Sequence, residues 1–411
     1  MVMVAENKRA PSSTQHQRDA KRRDITGGDQ PEVVEESDVS SESKAVKIFI
    51  PGINGFIGTH LAKRIIVETD WLILGMDRQL DRIETTKTQE LESTGRIHLV
   101  TKDLASLDAN DHEIKNCVVD CDIIIPLVGV PTPSIFTHIP IYAYNVNFEA
   151  VLRIIRLAVV HQKRLIFPSS SEVYGDCPDQ VLSVDNSRFY YGPVRESRWI
   201  YAGCKQLLER IIVAYGDTNS NFDYTIFRPF NWFGCGLDSL SPSQDELVYP
   251  LRDKPDKELD ENAMRPVQRV TTQFLRHIKA NKRIIVHGTG QQSRSFTYIE
   301  DALDALMLIL KSRDDTTSGK IYNIGNPKNH VTIASRAQTM IEVAGKFGVT
   351  AEAPLFKPAK KLYGEGYADV QGRVPDIRYI QLDLGWEPHW DLVPALEEIV
   401  SEALKEGKED W

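Results

Sequence analysis

The sequence predicts an α/β protein: a doubly wound parallel sheet with a smaller C-terminal lobe, preceded by a disordered N-terminal tail. Three observations carry this. Short apolar runs alternate with stretches of helical periodicity from residue 46 to about 228, the pattern of strands joined by crossover helices. A glycine-rich turn, Gly52 to Gly58, joins the first apolar run to the first helix. Residues 1–44 are rich in Ser, Gln and charged side chains and poor in large apolar ones, so they cannot offset their own ordering entropy.

The elements follow in order. Val46-Lys-Ile-Phe-Ile50 reads as a buried strand, and the glycine turn leads into a helix through Val67. Strands follow at 71–76, 97–100 and 121–128. Residues 147–161 are expected as a helix, 164–167 as a strand, 199–216 as a helix and 224–228 as a strand. Residues 238–264 are polar and Pro-bearing, a loop long enough to suggest function or disorder. Beyond it come a helix at 270–279, short strands at 284–287 and 295–299, a helix at 300–311 and a strand at 321–324. From about 330 the tail is helical with loops. The expected organisation is a leader (1–44), a dinucleotide-binding domain (45–235) and a mainly substrate-binding lobe (236–405).

The 411-residue chain is long enough for one large α/β domain with a satellite lobe. Its net charge of −9 argues against nucleic acid and anionic membranes as partners. No apolar run approaches the roughly 20 residues that span a bilayer, and the first residues lack a signal-peptide core, so a cytoplasmic protein is expected. Five cysteines, Cys117, Cys121, Cys177, Cys204 and Cys235, show no metal-ligand spacing; reduced thiols and no metal are expected. Cys204, next to Lys205, is read as a packing residue.

Gly52, Gly55 and Gly58, with Asn54, Phe56 and Ile57 between them, place a tight turn and a helix N-terminus where a pyrophosphate is favoured. Asp77 closes the second strand 19 residues beyond Gly58. A carboxylate there accepts from an adenosine ribose and repels a 2′-phosphate, so NAD is expected over NADP, although Arg78 is adjacent. Asp103 and Leu104 follow the third strand and are placed to meet the adenine.

Tyr201 and Lys205 lie four residues apart on a helix and so share a face. A lysine charge there is expected to lower the phenol pKa, letting Tyr201 take a proton from a substrate hydroxyl while hydride leaves the same carbon for NAD. Ser171 and Glu172, in Pro168-Ser-Ser-Ser-Glu-Val-Tyr-Gly175, are delivered from a strand end opposite them.

These motifs resemble the extended short-chain dehydrogenase/reductases. Within that family the chain is most similar to UDP-glucuronate decarboxylases of the bacterial polymyxin-resistance type and to plant UDP-apiose/UDP-xylose synthases. The resemblance runs from residue 46 to 395, through Asn54-Gly-Phe-Ile-Gly58, Arg198-Trp-Ile-Tyr201, Phe227-Arg-Pro-Phe-Asn-Trp232, Asn323-Ile-Gly-Asn-Pro327, Tyr363-Gly-Glu-Gly-Tyr367 and Arg373-Val-Pro-Asp-Ile377. It implies oxidation of UDP-glucuronic acid at C4, then loss of C6 as CO₂, with Tyr201 and Lys205 serving the first half and Ser171, Glu172 and Arg373 the second. Arg373 either binds the departing carboxylate or acts through a water. It further implies UDP-sugar contacts at Pro131, Phe136, Ser170, Ser171, Arg198, Asn231, Arg269, Arg294 and Tyr367, and a homodimer built on two long helices.

Departures from the family pattern leave the sugar open. The family's Gly-Pro-Arg is Gly234-Cys235-Gly236 here, a tyrosine is Phe136, an alanine is Pro131 and a lysine is Ile285. Ser171 stands where dehydratases of this superfamily carry Asp and apiose synthases Cys, which argues against both. The expected product is a UDP-4-keto-pentose or, after internal reduction, UDP-xylose. The alternatives are a UDP-sugar 4-epimerase, a UDP-apiose/xylose synthase and, from another class, a non-catalytic NAD or nucleotide-sugar sensor.

Overall fold

A computed structural model describes residues 45–85, 94–105, 112–240, 268–312, 315–359 and 369–405. The expected disordered leader, Tyr367 and most of the 238–264 loop lie outside these residues. Ala45–Trp411 forms one compact unit.

Its centre is a seven-stranded, wholly parallel sheet. Six strands come in chain order: β1 (Lys47–Pro51), β2 (Leu72–Asp77), β3 (Ile97–Thr101), β4 (Ile123–Ile124), β5 (Arg164–Pro168) and β6 (Tyr224–Pro229). The seventh, Lys320–Ile324, comes from beyond residue 236 and pairs with β6 at one edge. The spatial order is Lys320–Ile324, β6, β5, β4, β1, β2, β3. The chain therefore winds outward from β1 in one direction and from β4 in the other. The crevice at the carboxyl ends of those two neighbours is where such sheets bind ligands.

Both faces are covered. One apolar cluster joins the sheet to helix α1 (Phe56–Glu68), to Ile299–Lys311 and to the C-terminal helices. The other joins it to His112–Asp120, Ala150–Val160 and Trp199–Thr218. This is why strands such as β1 and β6 are almost continuously buried rather than alternating.

One expected strand is much shorter than read. The run 121–128 keeps only Ile123 and Ile124 in the ladder. Pro126 has no N–H to donate, and the chain turns at once, with Leu127 N–H bonding Ile125 O at 3.0 Å. The turn brings Leu127 to Val130 to the mouth of the crevice. Two short helices, Pro133–His138 and Pro140–Tyr144, follow where no element was expected, each opened by a proline at its first turn. Among the described residues, no helix is long and apolar enough to cross a membrane.

Candidate active site

The glycine turn closes against the end of β4. Gly52 adopts φ +88°, and a Cβ there would lie 2.4 Å from the Val128 backbone nitrogen, so only glycine fits. A Cβ on Gly58 would meet Gly52 O at 2.6 Å, which lets α1 start close under the strand. The α1 N-cap, Gly55, offers no capping side chain, and the first turn holds no acid. Phe56, Ile57 and Gly58 line the cleft at this helix N-terminus, an arrangement suited to a pyrophosphate.

Asp77 sits where the ribose carboxylate was expected. Its Oδ2 accepts from Asn54 N–H at 3.0 Å and its Oδ1 from Arg78 N–H at 2.8 Å. Burial pushes its pKa up, against those two N–H groups. Asp103 and Leu104 line the same pocket, with Arg78 and Arg82 beside them. Asn54 also lines it, but its side chain ties the turn to the next helix: Nδ2 donates to Asp81 Oδ1 and Oδ1 accepts from Ile83 N–H, both at 2.8 Å. It shapes the turn, and its amide is already engaged by the protein. The pocket fits NAD on these grounds: a backbone-lined helix N-terminus and a fixed carboxylate at the end of β2.

On the opposite wall, β5 ends at Pro168 and the chain turns through Ser169 and Ser170 into a short 3₁₀ turn, Ser171–Tyr174. Ser170 Oγ accepts from Glu172 N–H at 3.2 Å and caps that turn. Ser170, Ser171, Glu172, Tyr201 and Lys205 all line one cavity of about 580 Å³, shared with the glycine turn. The Tyr201 ring stacks on Phe136, with centroids 4.7 Å apart and planes 6° from parallel. Lys205 Nζ donates to Pro168 O at 2.8 Å and so pins the helix Trp199–Thr218 to the end of β5.

The electrostatics correct one expectation. Burial pushes the Tyr201 phenol well above its ordinary value. The groups that lower it are the Ser170 hydroxyl, by a hydrogen bond, and the Arg269 charge; Lys205 is not among the leading contributors. The Lys205 ammonium is itself pushed down to about 8 by burial, with Cys204 and Glu209 acting the other way. The neighbouring Cys204 thiol is pushed up to about 11 by burial, which fits an inert packing residue.

Glu172 is gripped by two arginines. Arg198 Nη2 donates to its Oε2 at 3.0 Å, and Arg373 Nη1 donates to its Oε1. Arg373 Nη2 also donates to Gly175 O at 3.2 Å. Burial alone would raise the Glu172 carboxyl, but Arg198, Arg373 and the Arg294 charge outweigh it and hold the pKa at about 2. Arg373, 2% exposed, does not line the cavity that holds Tyr201 and Lys205. A direct grip on a departing carboxylate, one of the two roles left open above, is therefore not what this conformation offers: Arg373 reaches the cleft through Glu172. Arg198, 3% exposed, likewise gives its charge to Glu172, though it edges a smaller adjoining cavity of about 220 Å³.

A pH signature follows. The folded pKa of about 2 lies below the ordinary 4.5, so this carboxylate's contribution to stability is complete above pH 4.5 and is lost as pH falls through about 2. Glu172→Gln should therefore lower the melting temperature at pH 7 and show a smaller further drop than wild type between pH 4.5 and 2. Parallel wild-type and variant acid limbs in thermal melts would contradict the arginine cage.

The remaining expected contacts divide. Arg269 and Arg294 line the smaller cavity, each held by an acid: Arg269 Nη2 to Asp238 Oδ1 at 2.7 Å and Arg294 Nη2 to Asp369 Oδ1 at 2.9 Å. Asn231 lines both cavities with φ +44°, a left-handed backbone uncommon for a non-glycine residue. Pro131 lines both as well, and Ile285 the smaller one. Phe136 does not reach the cleft; at 2% exposure it backs the Tyr201 ring instead. Cys235 turns its carbonyl to His60 Nε2 at 2.9 Å, and Gly236 takes φ +76°.

Two supports were missed by sequence reading. Asn147, fully buried in a π-helical turn (Asn145–Glu149), accepts from Val130 N–H at 2.9 Å and donates to Ala143 O at 2.8 Å, fixing the cleft-lining loop. Glu209 and Arg228 form a buried bidentate pair beneath the Ser169 loop, at 2.9 and 2.7 Å. Arg228 could have been found as a charge inside the apolar run Ile226 to Phe230, whereas Asn147 and Glu209, with Asn145 and Arg210 close by in sequence, gave no such signal.

Comparison with known proteins agrees with this geometry. A model of the NAD dependent epimerase/dehydratase family matches residues 48–250 and 259–325. The crystal structure of the PbgP3 protein from Burkholderia pseudomallei is 37% identical, with a TM-score of 0.71, over 88% of this chain and 99% of that one. UDP-glucuronic acid 4-epimerase from Bacillus cereus, solved with UDP-glucuronic acid and NAD, is 21% identical, with a TM-score of 0.66 over 87% and 99%. dTDP-glucose 4,6-dehydratase from Bacillus anthracis, solved with NAD, is 16% identical, with a TM-score of 0.65 over 87% and 96%. The last two likenesses speak for the fold.

Proposed function

The chain belongs to the NAD-dependent epimerase/dehydratase family, and from that premise we propose that it oxidises UDP-glucuronic acid at C4 and releases C6 as CO₂. The observation that carries this reading is the cleft wall where Ser171 and Glu172 face Tyr201 and Lys205, with Glu172 locked between Arg198 and Arg373.

NAD, held by the glycine turn and Asp77, would supply the acceptor for the hydride from C4. Tyr201, its phenolate stabilised against burial by the Ser170 hydrogen bond and the Arg269 charge, would take the hydroxyl proton once the positive charge that NAD would bring into the cleft lowers its pKa further. Oxidation places a ketone β to the C6 carboxylate, and the bond to C6 can then break with its electrons delocalised into an enolate. Two arginines on one glutamate leave a net positive cluster, which favours a substrate carboxylate near Ser171 and the charge of the enolate. Glu172, held at about 2, remains an anion at neutral pH and orients the arginines rather than donating a proton.

That last feature also favours the second reading, C4 epimerisation. Glu172, ionised, and Arg373, engaged, do not supply a proton to C5, so after loss of CO₂ the enolate takes that proton from water, whereas an epimerase needs no such proton. Incubation with UDP-glucuronate and NAD, followed by mass analysis, separates the two. A nucleotide sugar lighter by one CO₂ is expected. A product of unchanged mass with inverted C4 would overturn decarboxylation, and no product at all would overturn UDP-glucuronic acid as the substrate.

A cytoplasmic homodimer using the helix Trp199–Thr218 as part of its interface completes the proposal; Leu207, on that helix, is 46% exposed.

A further inference from the structure

Arg336 carries a charge that the described protein does not compensate. Its side chain is 0% exposed. Among the described residues, Nη2 donates to Thr271 Oγ1 at 2.7 Å, while Nε and Nη1 find no acceptor. The guanidinium lies 3.7 Å from the Phe296 ring centroid and 4.4 Å from that of Phe233. Burial is the only cause acting on it and pushes it down to about 9, so at neutral pH it is still a cation. Its place adds to the cost: it sits in the first turn of the helix Ile333–Lys346, where the helix dipole disfavours positive charge. Stacking on two rings offsets part of this cost, but a buried ion without a counter-charge is otherwise expensive, and a methionine would pack there without it.

The position suggests what balances the charge. Thr271, Phe233 and Phe296, the three residues against the guanidinium, all line the smaller cavity. Arg269 and Arg294 line the same cavity, but each faces an acid, Asp238 and Asp369. Arg336 therefore stands one layer behind the wall with its charge unspoken for, and in a low-dielectric setting that charge reaches across a side chain.

We infer that Arg336 is a fixed cation for the nucleoside diphosphate of the substrate: set behind Phe296 and Thr271, its charge is balanced by the ligand's phosphates rather than by a carboxylate of the protein. This rests on the nucleotide-sugar reading above and adds a residue that determines affinity for the diphosphate.

The test is titration of UDP and, separately, NAD into the full-length protein and its Arg336→Met and Arg336→Lys variants, with thermal melts of each. Arg336→Met should bind UDP about tenfold more weakly or worse, the scale of one unscreened charge nearby. Its NAD affinity should be unchanged and its ligand-free melting temperature equal to wild type or higher. Equal UDP affinity in wild type and Arg336→Met would overturn the inference. If Arg336→Met loses NAD binding as well, Arg336→Lys decides: UDP affinity retained with the charge supports the inference, and affinity as poor as that of the methionine variant overturns it. Wild-type protein that ignores UDP but binds NAD would overturn the nucleotide-sugar reading, and this assignment with it.

Discussion

Tyr201→Phe should bind NAD as wild type does and turn over nucleotide sugar about 10²–10⁴-fold more slowly. The substitution removes one oxygen from a ring that is 5% exposed and stacked on Phe136, so the packing survives. What disappears is the proposed proton acceptor, the hydroxyl beside Ser170 in the cleft. Loss of a positioned general base costs about 10²–10⁴-fold in rate. Single-turnover NADH absorbance on mixing with UDP-glucuronate measures it. Turnover within a few-fold of wild type would remove Tyr201 from the chemistry, and loss of NAD affinity would show that the variant damaged the pocket instead.

Arg228→Met should be the most destabilising single change beneath the site. Arg228 and Glu209 are 2% and 4% exposed and joined by two hydrogen bonds. Arg228 Nη1 also donates to Tyr174 OH at 2.7 Å, and that hydroxyl donates to Asn323 Oδ1 at 2.8 Å. Ser169 Oγ donates to Glu209. The network thus holds together the loop after β5, the helix Trp199–Thr218 one turn beyond Lys205, β6 and the edge strand Lys320–Ile324. Removing the arginine strands a buried carboxylate, which costs about 3–5 kcal/mol. Removing both charges leaves an apolar pair, so Glu209→Leu/Arg228→Met should recover most of the loss. Urea unfolding of the two variants checks this. A single variant less than about 1 kcal/mol below wild type would mean that the pair carries no structural weight.

The parts of this molecule legible in its sequence are those whose determinants are local. The glycine turn, Asp77 and the Tyr201–Lys205 pair each follow from a spacing within one strand, turn or helix, and the parallel sheet follows from their alternation. Non-local arrangements were not legible. Glu172 and Arg373 are 201 residues apart, so nothing in either segment says that the guanidinium ends on the carboxylate rather than in the cleft. The high Tyr201 pKa has the same origin: motif spacing placed Lys205 beside it, whereas burial and the route of Nζ to Pro168 O decide the local field. β4 was overread because the apolar count outvoted Pro126, a residue that cannot donate to the ladder. Arg336 lay in view as a charge within the apolar face of a helix, but its meaning needed Phe233, Phe296 and Thr271 around it.

The most direct test of the central claim follows the carboxyl carbon. UDP-glucuronic acid labelled with ¹³C at C6 is incubated with the protein and NAD, and the headspace and the nucleotide pool are analysed together. The account predicts that the label leaves as ¹³CO₂ in step with loss of substrate, and that Tyr201→Phe releases it about 10²–10⁴-fold more slowly. Label retained in a nucleotide sugar while substrate is consumed would contradict it.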